Sequence, residues 1–369
     1  MRVGVIGGGQ LGRMLAQAGA DLGIQVTTLD PAAASPAAQV APAIVASYDD
    51  ERALLDLAER SDVITFEFEN VPAASTRFLA DRGVPLFPAP KALEVAQDRL
   101  SEKTLFTDVG LPAPMFASVE DLDSLHAAID AIGAPALLKT RRLGYDGKGQ
   151  AHVHGHERAE DAWRAVGEVP SILEAVVPFT REVSVLGARA QDGQTRFWPL
   201  VQNRHREGIL RVSLAPAPSL TEELQTAAER HARALMEELD YVGVLAIELF
   251  VMDGERGPQL LGNEMAPRVH NSGHWTIEGS QTSQFAQHLR AICGLPLGGT
   301  AMRGHAAMVN LVGELPDPAA ILAVPGAHLH LYGKQPRPGR KLGHVTVLAE
   351  DPETLRQRVL QVIPEPSDV

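Results

Sequence analysis

The chain opens on the stretch VGVIGGGQLGRML, Val3 to Leu15, in which an apolar run meets a glycine cluster and a helix-like segment follows. Gly7, Gly9 and Gly12 fit the pattern G-x-G-x-x-G, which joins a β-strand to a helix through a tight turn. Asp30 ends the next strand pattern, 21 residues after Gly9, where dinucleotide-binding domains carry an acid that binds ribose. The stretch predicts a Rossmann-like βαβ unit. Its ligand stays open, because glycines at such a turn also serve close packing.

Strand and helix patterns alternate over residues 1–97, with RVGVI, IQVTTLD, SDVITFEFE and the short PLFP as the predicted strands. This alternation predicts βαβ units and a parallel sheet, with PAAASPAAQVAPA as a loop over the sheet edge. From Glu182 onward the pattern indicates mostly antiparallel strands and a long helix, TEELQTAAERHARALMEEL. The fold class is therefore α/β and α+β. We predict domains at 1–97, 98–298 (with a glycine-rich flap lobe at 98–178) and 299–369.

Composition excludes several classes of protein. The formal net charge of −13 argues against a nucleic-acid partner, which needs a basic surface. No apolar stretch reaches the roughly 18 residues that span a bilayer, and the apolar run after Arg2 is too short for a signal peptide. We therefore expect a cytoplasmic protein with no membrane partner. The single cysteine, Cys293, excludes an intrachain disulfide and is expected to be a buried thiol at a helix end.

A lysine on a strand and a glycine-rich loop suggest a polyphosphate site in the middle of the chain. LLKT places Lys139 on a predicted strand just before the loop RRLGYDGKGQ. Backbone N–H groups of such a loop and the side chain of Lys148 can donate to phosphate oxygens. A solvated turn is an equally good interpretation of the loop by itself.

Two further segments carry acids at strand positions. Glu174 to Val177 end a strand whose backbone could pair with an adenine edge, and Glu182 could accept a ribose hydroxyl; a solvated edge strand explains both equally simply. Glu248 lies between Ile247 and Leu249 in AIELF, and Glu264 lies between Asn263 and Met265 in LGNEMAPR, so both acids occur in largely apolar strands. Acids among apolar neighbours are costly unless paired or bound to metal, and two carboxylates suit Mg²⁺. Arg268 follows and could stabilise charge on a transferring phosphoryl group.

The ordered set resembles the ATP-grasp superfamily: strand lysine, glycine–lysine flap, hinge acid, then two metal carboxylates ending in N-E-x-x-P-R. The match runs over residues 99–294. Within that superfamily, GGGQLGRML, GYDGKGQ, APRVHNSGHWT and RPGRKLGH resemble the N5-carboxyaminoimidazole ribonucleotide synthetases over essentially the whole chain. The resemblance implies a Rossmann-like N-terminal domain, a two-lobed ATP-grasp core and a small C-terminal domain, in a homodimer. It implies carboxylation of aminoimidazole ribonucleotide (AIR) with ATP and bicarbonate through carboxyphosphate.

The resemblance also assigns site residues. It implies Mg²⁺ on Glu248 and Glu264, Arg268 facing carboxyphosphate, and Tyr145 and Asp146 facing the AIR amine, with Asp146 as a proton acceptor. ATP would contact Arg99, Lys139, Gly144, Tyr145, Asp146, Gly147, Lys148, Gly149, Gln150, Glu174, Ala175, Val176, Val177, Glu182, His205, Asn263 and Glu264.

The phosphate of the ribonucleotide needs cations, and YGKQPRPGRKLGH concentrates them. The resemblance implies that Lys334, Arg340 and Lys341 hold this phosphate, while Arg337 points to solvent; a solvated basic loop is the alternative. It also implies that Gln10, Leu11, Glu67 and Asn271 contribute to the substrate site.

The histidines have simpler interpretations than metal binding. His152, His154 and His156 recur with period two, so we expect them on one solvated strand face beside the flap. His270 and His274 are expected to shape the substrate loop.

Three alternatives accompany the ligase prediction. A formate-dependent ribonucleotide transformylase shares the implied fold, but GYDGKGQ and HNSGHWT favour the carboxylase. An NAD-dependent oxidoreductase rests on the opening loop alone and leaves the later motifs unexplained. A non-catalytic nucleotide-binding protein would not need the two acids and the flap cations that are present.

Overall fold

In a computed structural model of the protein, residues 1–144, 148–254 and 257–363 are described. The N-terminal part alternates strands and helices as predicted: β1 (Arg2–Ile6), α1 (Gln10–Asp21), β2 (Gln25–Asp30), β3 (Ala43–Val45), α2 (Glu51–Glu59), β4 (Val63–Phe66), α3 (Ala73–Ala80) and α4 (Pro90–Ala96). The strands form a parallel sheet in the order β3-β2-β1-β4, which confirms the predicted βαβ organisation.

Two local predictions in this part need correction. PLFP is not a strand, because only Leu86 forms a bridge, to Ile64. The segment predicted as a loop over the sheet edge contains a short helical turn, Ala37–Gln39, and its last residue begins β3. The error has a physical cause, since short apolar segments rich in proline carry no periodicity that distinguishes a strand from an extended connection.

The next part forms a small lobe with an antiparallel sheet in the order β5-β8-β6-β7. Its elements are α5 (Arg99–Asp108), β5 (Phe116–Val119), α6 (Leu122–Ile132), β6 (Ala136–Thr140), β7 (Gln150–Val153), α7 (Ala159–Ala165) and β8 (Ser171–Ala175). Apolar side chains of α6 and α7, among them Leu125 and Trp163, pack with Leu138 and Leu173 of the strands into one core. This packing fixes β6, which carries Lys139, against β8, which carries Glu174.

A large sheet occupies the rest of the chain, in the order β14-β13-β9-β11-β12-β15-β17-β16, with β10 beside β9. Its elements are β9 (Arg181–Arg189), β10 (Thr195–Phe197), β11 (Val201–Arg206), β12 (Ile209–Ala215), α8 (Glu222–Glu238), β13 (Gly243–Gly254), β14 (Gly257–Ala266), α9 (Thr276–Gly279), α10 (Gln284–Ile292), β15 (His305–Val312), α11 (Pro318–Leu322), β16 (Ala327–Leu331), β17 (Lys341–Ala349) and α12 (Pro352–Val362). The described neighbours in this sheet pair antiparallel, as expected.

The large sheet continues across the predicted boundary at residue 298, because β15 pairs with β12. The division into domains at 1–97, 98–298 and 299–369 therefore stays a prediction about folding units. One apolar core joins Leu15 of α1 to Leu186, Trp198 and Met308 of the large sheet. This core holds the opening glycine loop close to the face of the sheet.

Two smaller expectations concern burial. Cys293 is 8% exposed at the C-terminal end of α10, which confirms a buried thiol at a helix end. Among the helices of the described ranges, none combines the length and apolar character needed to cross a membrane.

Candidate active site

Glu248 and Glu264 lie directly opposite each other on β13 and β14. Residues opposite each other in an antiparallel pair point to the same face, so the two carboxylates share one side of the sheet. Burial, and then the charge of Glu264, raise the pKa of Glu248 to about 8. The predicted placement of both acids on neighbouring strands is confirmed. The arrangement concentrates negative charge in a buried place that suits a divalent cation.

Arg99, the first residue of α5, links these carboxylates to the start of the glycine-rich flap. Its Nη1 lies 3.5 Å from Glu264 Oε2, and its Nη2 donates to the carbonyl of Gly144 at 3.3 Å. Tyr145, Asp146 and Gly147 lie outside the described residues. Beyond them the side chain of Lys148 is exposed. The flap therefore begins beside the proposed metal carboxylates.

Lys139 and Glu174 form a buried ion pair between neighbouring strands, with Nζ 2.8 Å from Oε2. Lys103 of α5 lies 3.7 Å from the same oxygen and donates to the carbonyl of Gly262 at 3.2 Å. Although burial raises the pKa of Glu174, Lys103 and Lys139 outweigh this effect and hold it below its usual value. Glu174 Oε1 is buried without a hydrogen-bond partner among the described residues.

Lys103 is a site residue that sequence reasoning missed. Its side chain is wholly buried, which is rare for lysine. The available signal was the helix pattern itself, since Lys103 lies three positions before Phe106 and so shares its buried face of α5.

Glu182 of β9 and His205 of β11 form another pair, on the large sheet. Glu182 Oε2 lies 2.8 Å from His205 Nδ1. Burial lowers the pKa of His205, but Glu182 and Glu248 together raise it above its usual value. Both are expected nucleotide contacts, and both face the same region as Glu248. Among the other expected contacts, Val176 is exposed, while Ala175, Val177 and Asn263 are half-buried.

Arg268 is oriented by Glu69, which the sequence analysis did not single out. Arg268 Nη2 lies 2.7 Å from Glu69 Oε1, and Nη1 donates to the carbonyl of Val269 at 2.9 Å. Burial raises the pKa of Glu69, although Arg268 opposes the effect. The Nε of Arg268 is buried without a partner among the described residues.

The opening glycine loop binds a carboxylate of its own chain. The N–H groups of Gly9 and Gly12 donate to the two oxygens of Glu67 at 2.8 and 3.3 Å. The N–H of Gly8 donates to Asp30 at 2.8 Å. A Cβ built on Gly7 or Gly9 would lie 2.7 Å from Glu67 Oε1, so the glycines make room for this side chain. Glu67 thus occupies the place that a phosphate takes in a dinucleotide-binding loop.

A lysine from the C-terminal part of the chain contacts the helix that follows this loop. Lys334 Nζ donates to Gln10 Oε1 at 2.5 Å, across 324 residues of sequence. Burial lowers the pKa of Lys334, although Glu67 opposes this effect. Leu11 is buried in α1. Three of the predicted substrate residues, Gln10, Glu67 and Lys334, are therefore brought together.

The remaining substrate candidates are Asn271, which contacts β15, and two basic residues at the start of β17, Arg340 and Lys341. Asn271 exchanges side-chain hydrogen bonds with Asn310 of β15, at 3.1 and 2.7 Å. Arg340 donates to the carbonyl of Gln335 at 3.1 Å, and Lys341 begins β17. Arg337 is exposed, as expected.

The histidine prediction holds in part. His152 and His154 are exposed and stack with ring centroids 6.1 Å apart, which confirms a solvated face. His156 does not share this face: it lies in a helical turn after β7, 2.9 Å from Asp130. The strand ends at Val153, so the period of two breaks before His156. Within the described ranges, no three His, Cys, Asp or Glu side chains group as a metal site.

Comparisons with known proteins agree along the whole chain. The models of three families match: the ribonucleotide synthetase preATP-grasp domain at residues 1–97, the ATP-grasp domain at 104–285, and the phosphoribosylaminoimidazole carboxylase C-terminal domain at 306–358.

Named relatives resemble the chain at full length. The N5-carboxyaminoimidazole ribonucleotide synthase of Pseudomonas aeruginosa is 51% identical over 98% of both chains. The crystal structure of the Thermus thermophilus synthetase has a TM-score of 0.93 at 53% identity, covering 98% of this chain and 99% of that one. A synthase structure from Aspergillus clavatus, in complex with ADP and 5-aminoimidazole ribonucleotide, has a TM-score of 0.89 at 30% identity, covering 98% and 96%.

Proposed function

The chain belongs to the N5-carboxyaminoimidazole ribonucleotide synthase family, and from this premise we propose how its residues carry out the reaction. The enzyme is an ATP-dependent ligase of purine biosynthesis that carboxylates AIR. We propose that ATP and bicarbonate first form carboxyphosphate, which then delivers its carboxyl group to the 5-amino nitrogen of AIR, with ADP and phosphate as the other products.

The observation that carries this proposal is the arrangement of charge on one face of the large sheet. Glu248 and Glu264 face each other, Arg99 contacts Glu264, and His205, which lies 2.8 Å from Glu182, has its pKa raised by Glu182 and Glu248. Lys139 is held on β6 by Glu174. Cations for phosphates and carboxylates for a metal are thus placed side by side, as phosphoryl transfer requires.

The donor set fits Mg²⁺. Two carboxylates on adjacent strands offer the hard oxygen ligands that Mg²⁺ prefers, with phosphate oxygens of the nucleotide supplying further ligands. Burial and the neighbouring Glu264 raise the pKa of Glu248 to about 8, and a cation beside it would favour its charged form. When bound, the ion would polarise the phosphoryl group. Glu248 and Glu264 would hold it and orient the triphosphate.

Arg268 is proposed to hold carboxyphosphate. Glu69 fixes the guanidinium from one side, and the unpartnered Nε leaves a donor for an anion. A fixed guanidinium can donate paired N–H groups to the carboxylate or phosphoryl oxygens of carboxyphosphate. Tyr145 and Asp146 are proposed to face the AIR amine, with Asp146 as proton acceptor.

AIR is proposed to bind between the opening loop and the basic loop. Gln10, Leu11 and Glu67 would form one wall, Asn271 another, and Lys334, Arg340 and Lys341 would hold the phosphate. The contact between Lys334 and Gln10 supports this, because it shows that these loops share one surface. A homodimer and a cytoplasmic location are also proposed, and sedimentation and cell fractionation test them.

The decisive experiment measures phosphate release from ATP with AIR and bicarbonate added singly and together, and follows the carboxylated product. Release that requires both substrates supports the proposal. Release that requires formate in place of bicarbonate would instead identify a transformylase, and ATP binding without turnover would identify a nucleotide-binding protein. The NAD alternative has no support, because Glu67 occupies the glycine loop.

A further inference from the structure

A polar cleft of about 400 Å³ lies between the start of β9 and the hairpin formed by β11 and β12. Nine residues line it: Phe179, Thr180, Arg181, Glu182, Gln202, Asn203, Arg204, His205 and Arg211. Three of the nine are arginines and one is a carboxylate, so the cleft carries a positive wall in an acidic protein. The carboxylate of Glu182 lies 2.8 Å from His205 Nδ1.

Arg204 and Arg211 are unusual because no residue in the described ranges contacts the Nε atom of either guanidinium group through a hydrogen bond. The Nε atoms of both are buried and have no hydrogen-bond partner among the described residues. Neither side chain forms an ion pair within residues 1–144, 148–254 and 257–363. Arg181, by contrast, donates to the carbonyl of Pro218 at 2.8 Å. A buried, unpaired guanidinium donor is costly, so two of them facing one cleft indicate a missing anion.

The backbone directs these side chains into the cleft. The pairing of β11 with β12 shifts register between Arg204 and His205. Such a bulge re-aims side chains that would otherwise alternate between the two faces of the sheet. Arg204 and His205 therefore line the same cleft although they are consecutive.

The cleft lies between the nucleotide residues and the substrate residues. On one side, Asn203 bonds to Ser184 and Ser213 at 2.6 and 2.9 Å, next to Glu182 and His205. On the other side, the amide of Asn310 donates to the carbonyl of Leu210 at 2.9 Å.

Leu210 directly precedes Arg211, and Asn310 also bonds to Asn271, a proposed AIR contact. A nucleotide whose ribose contacts Glu182 must direct its terminal phosphate toward the second substrate, and Arg204 and Arg211 line the same cleft as Glu182.

We propose that Arg204 and Arg211 bind the γ-phosphate of ATP. This rests on the proposed function, since it takes Glu182 and His205 as nucleotide contacts. Guanidinium groups suit this role because they remain charged and present paired N–H donors to phosphate oxygens. In this position they hold the phosphoryl group beside bicarbonate, and they release ADP more readily than ATP.

Calorimetric titration of the full-length protein with Mg²⁺ and either ADP or the β,γ-imido analogue of ATP tests the assignment. In Arg211→Gln and Arg204→Gln, the dissociation constant for the ATP analogue should rise about tenfold, as expected for one lost charge-assisted contact, while that for ADP stays within about twofold. Arg211→Lys should raise the dissociation constant for the ATP analogue by a smaller factor, because it keeps the positive charge. Arg196→Gln is the matched control, because Arg196 is exposed on β10 and its loss changes the net charge equally.

Each other outcome overturns the proposal. Unchanged affinity for the ATP analogue would mean that neither arginine binds the γ-phosphate. Equal weakening of ADP and analogue would place the contact on the shared part of the nucleotide, and a raised KM for AIR alone would place it on the AIR phosphate. Thermal unfolding checks folding, and Arg211→Lys carries the test if Arg211→Gln does not fold. The proposed function fails separately, if the unaltered protein binds ATP but does not turn over AIR.

Discussion

Glu174 in the small lobe and Glu248 on the large sheet are carboxylates with little exposure in the proposed active site. Their surroundings nevertheless shift their pKa values in opposite directions. Glu174 lies 2.8 Å from Lys139 and 3.7 Å from Lys103, and these lysines hold its pKa below the usual value. Glu248 faces Glu264 across two strands, and burial and that neighbour raise its pKa to about 8.

Glu174 has its countercharge in the protein, whereas Glu248 faces another carboxylate. The charge of Glu174 is balanced by Lys139 and Lys103, so we propose that Glu174 fixes the position of Lys139 before ATP binds. The charges of Glu248 and Glu264 are balanced only when a cation is added. The same residue type therefore pairs with lysines in one lobe and is a proposed metal ligand on the large sheet.

The largest expected effect comes from removing the anchor. Glu174→Gln leaves the wholly buried Lys103 without its carboxylate and should lower the free energy of unfolding by about 3–5 kcal/mol, measured by urea denaturation. Glu120→Gln is the control, since Glu120 pairs with Arg141 in an exposed position and should cost less than about 1 kcal/mol. A loss for Glu174→Gln no greater than that of the control would contradict the comparison.

Removing a metal carboxylate should affect activity instead of stability. Glu248→Gln or Glu264→Gln should lower AIR-dependent phosphate release by about 10²–10³-fold at saturating substrates, as expected for a lost electrostatic element of the reaction. Without Mg²⁺, the free energy of unfolding should not fall, because the substitution removes one of two carboxylates that face each other. Asp253→Asn, an exposed carboxylate on the same strand, should leave both quantities unchanged.

This second comparison breaks down under either of two results. One is a Glu248→Gln variant that keeps most of its phosphate release across a Mg²⁺ titration. The other is a metal-free unfolding free energy that drops as far as it does in Glu174→Gln.

The pH dependence of stability should have opposite signs for the two acids. Since the pKa of Glu248 rises from 4.5 to about 8 on folding, the folded protein holds the extra proton in that interval, and stability without metal falls as pH rises through it. The slope is at most about 1.4 kcal/mol per pH unit for one proton. The pKa of Glu174 is lowered, so its contribution is present above the ordinary value of 4.5 and is lost as pH falls further.

Urea denaturation in a metal chelator, at pH values from 5 to 8.5, measures these slopes. The free energy of unfolding of Glu248→Gln should fall less steeply with pH than that of the unaltered protein. For Glu174→Gln the slope should stay the same over this range. A slope that Glu248→Gln leaves unchanged would show that another group titrates there.

Substitution of Glu67 should have the smallest effect, because its carboxylate accepts hydrogen bonds from backbone N–H groups and forms no direct ion pair within the described residues. Glu67→Gln should lower the free energy of unfolding by about 1–2 kcal/mol, since an amide can accept from only one of Gly9 and Gly12. It should also raise the KM for AIR more than the KM for ATP in steady-state assays. Asp62→Asn, which loses an exposed pair with Arg2, is the control. Equal changes in both KM values would contradict a substrate-side position.

Much of the fold and of the site could be predicted from the sequence because the signals are local. The strand–glycine–helix unit, the alternating elements of residues 1–97, the strand position of Lys139 and the pairing of the strands that carry Glu248 and Glu264 all followed from patterns of a few residues. Periodicity and turn chemistry act over such short distances. PLFP and His156 were placed wrongly where the pattern was only three or four residues long.

The tertiary structure alone decided which charges meet. Gly9 receives Glu67 from 58 positions away, and Gln10 receives Lys334 from 324 positions away. Lys103, Glu69, Arg204 and Arg211 carried no motif, and burial and a register shift gave them their places. The sequence by itself determined the backbone scaffold and the ordered set of chemical groups. Long-range packing decides whether each of these groups is ionised and whether it has a partner, because electrostatic energy depends on burial and on distance in space.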